Sequence, residues 1–122
     1  MDADELKNRT KKFALRILKL VAALPDTVQG RTIGGQLARA GTSVGSNYRA
    51  SCRSRSTAEF IARIGVVLEE ADESGFWLEL IIEGELLPAN LVQPLLDEAN
   101  ELTSIMASSR ITASSRVRQR AK

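Results

Sequence analysis

The sequence predicts an all-α protein, an antiparallel up-and-down bundle of four helices. Three observations lead there. Apolar residues recur at three- and four-residue steps in four separate stretches, the connections between the stretches are short, and no stretch alternates apolar and polar residues as a strand would. The 122 residues, 43% hydrophobic and 26% charged, suit one domain with a real core.

The first stretch carries Leu6, Thr10, Phe13, Ile17, Leu20 or Val21, and Leu24, which predicts a helix from about residue 4 to 24. Asp4 can cap it and Pro25 can stop it, while Lys7, Arg9, Lys11, Lys12, Arg16 and Lys19 fall on its solvent face. The second stretch has Ile33, Leu37, Ala40, Val44 and Tyr48, a helix from about 28 to 52. Gly34, Gly35, Gly41 and Gly45 lie inside it and cost an isolated helix roughly 1 kcal/mol each, so tertiary packing must compensate, and small residues allow a neighbouring helix to come close. These glycines are not a phosphate loop, because no Gly-Lys-Ser/Thr ending follows and no strand precedes them.

Ser56-Thr57-Ala58-Glu59 has capping-box spacing and starts a third helix near Thr57. Phe60, Ile64, Val67, Leu68, Ala71, Leu78 and Ile81 carry its apolar stripe to about Glu83, where Gly84 can end it. Phe76 and Trp77 adjoin that stripe as core or subunit interface. The fourth stretch comprises Leu91, Leu95, Leu96, Ala99, Leu102, Ile105 and Met106. Pro88 suits a first helical turn, and Pro94 either begins the helix or kinks it. The expected domain is 1–109, followed by a basic, polar, disordered tail over 110–122.

The formal net charge of +2 conceals a segregation. Residues 2–5 hold three acids; residues 7–63 hold twelve bases against Asp26 and Glu59 alone. Residues 69–101 hold ten acids and no base, and residues 110–122 five bases and no acid. Either a basic surface meets polyanions, or acidic and basic faces meet each other within or between subunits.

Several function classes fall away. There is no histidine, which removes the commonest general base and imidazole zinc sites, and the single cysteine, Cys52, forms no intrachain disulfide or metal cluster. No cofactor is expected. The longest charge-free stretch, Leu86 to Leu96, is too short for a bilayer, and the acidic start Met1-Asp2-Ala3-Asp4-Glu5 differs from a secretory signal, so a cytoplasmic protein without membrane contact is expected.

In the second and third stretches, Gln36-Leu37, Arg39-Ala40, Ser43-Val44, Asn47-Tyr48-Arg49-Ala50, Arg53-Ser54, Glu59-Phe60 and Glu69-Glu70-Ala71-Asp72-Glu73-Ser74 resemble the bacterial four-helix-bundle family encoded in intervening sequences of large-subunit ribosomal RNA genes. The resemblance covers roughly residues 6–108. It implies a ring-shaped homopentamer related to the accessory protein of diversity-generating retroelements, which binds nucleic acid and a reverse transcriptase through basic surface. It implies no known catalytic activity. Many family members have Asn-Ile-Ala-Glu-Gly where this chain has Asn47-Tyr48-Arg49-Ala50-Ser51, so an acid is lost and a base gained.

Arg39, Ser43 and Asn47 share one helix face, and Glu70 and Glu73 lie one turn apart, a pattern for a polar network between helices or subunits rather than for acid-base catalysis. Lys12, Arg16, Arg49, Arg53, Arg55 and Arg63 are the candidates for phosphate contacts, or else for pairing with the acids of residues 69–101. Aromatic residues are only 4% of the chain, which disfavours a base-stacking surface, so binding would be driven by shape and charge. The expected function is a non-enzymatic oligomer that binds RNA or DNA, or a protein that processes it. The alternative is a purely structural module whose charged faces neutralise each other across subunits.

Overall fold

Asp2, in extended backbone, accepts a hydrogen bond from the Glu5 N–H at 2.8 Å and so opens the first helix, α1 (Ala3–Ala22). The expected cap, Asp4, lies instead within the first turn, where its charge suits the helix dipole. Thr27 caps α2 (Val28–Ser51) by accepting from Gly30 N–H at 3.0 Å, and Ser56 caps α3 (Thr57–Glu83) by accepting from Glu59 N–H at 3.1 Å. The last helix is α4 (Ala89–Ala121). The computed structural model describes residues 1–121, and no strand occurs among them.

The helices pack in chain order. α1 lies on α2, α2 on α3 and α3 on α4, while α1 and α4 touch more lightly to close the bundle. α1 and α3, like α2 and α4, are not backbone neighbours among the described residues, so each pair faces across a diagonal of the shared core. The core is made by Phe13 and Ile17 of α1, Leu37 and Val44 of α2, Ile64, Leu78 and Ile81 of α3, and Val92, Leu102 and Met106 of α4, all fully buried.

The α1/α2 contact shows why α2 tolerates its glycines. A Cβ on Gly41 would stand 2.7 Å and 2.8 Å from two carbons of Ile17, so the bare backbone is what lets the two helices meet. The same level carries the α2/α3 contact at Arg39, whose guanidinium reaches Glu70 and Glu73. Ile17, Arg39 and Glu70 to Glu73 therefore mark one height of the bundle. The buried hydroxyls are satisfied within their own helices: Thr10 Oγ1 donates to Leu6 O at 2.8 Å and Ser51 Oγ to Tyr48 O at 2.6 Å.

Four further features depart from the sequence expectation. α1 ends two residues before the predicted stop, with Ala23 as its C-cap, so Pro25 lies beyond the helix rather than ending it. At the α3/α4 corner Gly84 is right-handed, and the left-handed residue is Glu85 (φ 56). Leu91 is 57% exposed and Val92 takes its place in the core, because the helix begins at Ala89 with Pro94 inside it and Val92 lies one turn before Leu95 and Leu96 on the buried face. The predicted disordered tail is helical over 110–121: no Gly or Pro follows Pro94, alanine and arginine favour helix, and Ala113 is buried. The remainder of that predicted tail, Lys122, lies outside the described residues.

Candidate nucleic-acid interface

The corner between α2 and α3 is built by short-range bonds. Ser54 Oγ donates to Ser51 O at 2.7 Å, the Glu59 carboxylate accepts from Arg55 N–H at 3.0 Å, and Arg63 donates to Ala50 O at 2.7 Å while pairing with Glu59 at 2.7 Å. Arg63 is therefore engaged in bracing the corner and is poorly placed to reach a phosphate. The side chains of Arg49, Arg53 and Arg55 are exposed and have no ion-pair partner among the described residues.

Arg49 and Arg53 face Asp4, Lys7 and Asn8 of α1 across a shallow cleft of about 540 Å³. Lys12 and Arg16 follow Asn8 at four-residue steps, so they extend the same α1 face away from the cleft. Both are exposed and unpaired among the described residues. Five of the six candidate cations thus remain available, in a band that runs from the foot of the bundle up α1.

The expected polar network divides in two. Arg39 Nη2 donates to both carboxylate oxygens of Glu73 at 2.7 Å, and Nη1 donates to Glu70 Oε2 at 3.2 Å, tying α2 to α3. The hydrogen bond to Arg39 holds the Glu73 carboxyl below its ordinary range, and Glu73, then Glu70, raises the affinity of Arg39 for its proton. Trp77 Nε1 also donates to Glu73, at 3.4 Å. Ser43 and Asn47 stand apart from this clamp: the Ser43 hydroxyl donates to Arg39 O at 2.7 Å and the Asn47 amide to Ser43 O at 2.8 Å, both within α2.

Sequence reasoning placed Arg9 on the solvent face of α1. It instead joins α1 to α4, with Nε 2.8 Å from Glu98 Oε2, Nη2 2.6 Å from Glu98 Oε1 and Nη2 3.0 Å from Glu101. Nothing in the local spacing signals a pairing across 89 positions. Tyr48 and Cys52 sit one turn apart beside the corner, where burial and then Cys52 push the Tyr48 hydroxyl well above its ordinary range. No helix of the described residues is long and apolar enough to cross a membrane.

Comparison with known proteins adds a relationship to this geometry. The family model described as 23S rRNA-intervening sequence protein matches residues 4–108. The chain is also similar to a crystal structure of a protein with unknown function from the S23 ribosomal protein family of Bacteroides thetaiotaomicron VPI-5482. The two are 29% identical, the likeness covers 86% of this chain and 97% of that one, and the TM-score is 0.77. No curated protein matches.

Proposed function

As the chain belongs to the 23S rRNA-intervening sequence protein family, we propose that it is a non-enzymatic, cytoplasmic, self-assembling bundle that binds RNA or DNA electrostatically through its basic surface. The observation that carries this reading is the group of unpaired arginines, Arg49, Arg53 and Arg55, gathered at one corner. Arginine offers planar, paired donors that match a phosphate. A protein that handles nucleic acid, such as a reverse transcriptase, is the further partner that the sequence resemblance implies.

Self-assembly is supported by two complementary faces. On α1, Leu15 is 58% and Leu18 47% exposed, surrounded by unpaired Lys11, Lys12, Arg16 and Lys19. On α3, across the diagonal, Val66 is 40% and Phe76 50% exposed, among unpaired Glu69, Asp72, Glu79 and Glu83. Leu15 and Leu18 stand at the height of Glu70 to Glu73, between Val66 and Phe76, so copies placed side by side would bring apolar patches and opposite charges together. Such head-to-tail contact gives a ring when the rotation between neighbouring copies closes, and five copies is the number that the sequence resemblance implies. Lys12 and Arg16 then serve assembly, and the foot arginines serve binding.

The same match favours a second reading, in which the protein is a structural module and its charges are consumed between subunits. Binding of structured RNA and duplex DNA across a salt series separates the two. The first reading expects log affinity to fall linearly with log salt, by roughly 0.7 to 0.9 per phosphate engaged. It also expects Arg49→Glu/Arg53→Glu to lose binding while sedimentation shows the assembly intact, and Lys12→Glu/Arg16→Glu to dissociate the assembly. Absence of binding at low salt establishes the structural module.

A further inference from the structure

α4 has 33 residues against 20 in α1, about 50 Å against about 30 Å of helix. The family match ends at residue 108, yet the helix continues to Ala121. Residues 109–121 thus run past the start of α1 while lying beside the first turns of α3, where Arg110 stands near Gly65 and Ala113 is buried. Between this extension and the bundle lies an open groove of about 1210 Å³.

The lining of the groove has a division of chemistry. Leu6, Phe60, Ile105 and Ala113 give it an apolar floor continuous with the core, drawn from three helices. Ser108 and Thr112 follow on α4, and then Arg116 and Arg120, each a turn further along one face. Arg55 stands in the opposite wall. These three arginines are exposed and unpaired among the described residues, whereas the acid in the lining, Glu101, is held by Arg9. The groove therefore offers buried apolar surface with a net excess of cations at its rim.

We propose that this groove receives an acidic amphipathic helix of a partner protein. Its apolar side chains lie on Leu6, Phe60, Ile105 and Ala113, and its carboxylates meet Arg55, Arg116 and Arg120. The volume exceeds the roughly 300 to 1,000 Å³ of a small-molecule pocket and suits the helix-in-groove mode, in which apolar anchors repeat along one helix face. A nucleic acid would use the rim alone and leave the floor uncovered. The site lies in part outside the family-matched segment and shares only Arg55 with the polyanion surface, so substitutions at Arg116 and Arg120 test it separately from those at Arg49 and Arg53.

The test uses the full chain and a fluorescein-labelled synthetic helix with leucines at three- and four-residue spacing and glutamates elsewhere, read by fluorescence anisotropy. An all-glutamate peptide and a labelled DNA duplex are the controls. The leucine-glutamate helix should bind more tightly than the all-glutamate peptide. Arg116→Glu/Arg120→Glu should weaken it roughly tenfold, the sum of several exposed charge contacts. Ser108→Trp, which fills the groove without altering charge, should weaken the helix and leave the duplex unaffected. Circular dichroism confirms that both variants remain folded. Equal affinity for the two peptides, indifference to Ser108→Trp, or displacement of the helix by duplex at equal phosphate and carboxylate concentration overturns the proposal, as does failure of the helix to bind; duplex binding lost only in Arg49→Glu/Arg53→Glu would leave the polyanion reading standing in each case.

Discussion

Arg9 grips Glu98 through two parallel hydrogen bonds, Nε to Oε2 at 2.8 Å and Nη2 to Oε1 at 2.6 Å, and so fastens the first helix to the last. Both side chains are about four-fifths covered, at 20% and 17% exposure, which shields the pair from water and salt. Glu98 is the main reason that Arg9 holds its proton more firmly than an ordinary arginine.

Arg9→Ala should destabilise the protein by about 1–3 kcal/mol in urea unfolding, since it strands a largely covered carboxylate. Arg9→Lys should recover little of this, because an ammonium cannot form the paired fork. Glu101, 63% exposed, contributes a weaker contact, and Glu101→Ala should cost less than about 0.5 kcal/mol. A double-mutant cycle between Arg9 and Glu98 should show coupling; additive losses would mean that the bond adds nothing to the closed bundle.

Two glycines of α2 should respond oppositely to alanine. At Gly41 the added methyl meets Ile17 carbons at 2.7 Å and 2.8 Å, so Gly41→Ala should force α1 outward and cost about 1–3 kcal/mol. At Gly35 nothing lies within 4 Å, so Gly35→Ala should stabilise by about 0.4–1 kcal/mol through lower unfolded-state entropy. Thermal unfolding of the two variants side by side measures both signs.

Glu73 predicts a response to acid. Its carboxyl is held below the ordinary value chiefly by Arg39, so the folded state binds that proton less readily than the unfolded chain. The stabilisation is complete above the unfolded value of about 4.3 and is lost as pH falls from there through the folded pKa. Glu73→Gln should remove this part of the acid dependence and leave the stability of the variant flatter below about pH 4. An unchanged acid limb would assign the sensitivity to other carboxylates.

The helices were legible because each is amphipathic and each begins or ends on local chemistry: Thr27 before α2 and the Ser56-to-Glu59 capping box before α3 are written in adjacent residues. Core positions such as Phe13, Leu37 and Ile64 follow from the same periodicity. The corner arginines could be named but not sorted. Whether Arg63 is engaged and Arg53 free depends on the fold of the Ser51 to Ser56 turn, which brings Ala50 O within reach of Arg63. Arg9 was missed since its partner is brought close only by closing the bundle. The extension was misread because residues 110–121 have little apolar content, and a helix already formed continues into such a segment at far lower cost than starting a new one.

Chain-order packing also bears on how fast the molecule is made. With α1 on α2, α2 on α3 and α3 on α4, most native contacts join helices that are neighbours along the polypeptide, so little loop entropy opposes their formation and folding should be rapid. The α1/α4 seam is the exception: its contacts span nearly the whole chain and come together only after the hairpins exist. Substitutions at Arg9 should accordingly speed unfolding and hardly change the folding rate, placing this bond on the native side of the transition state.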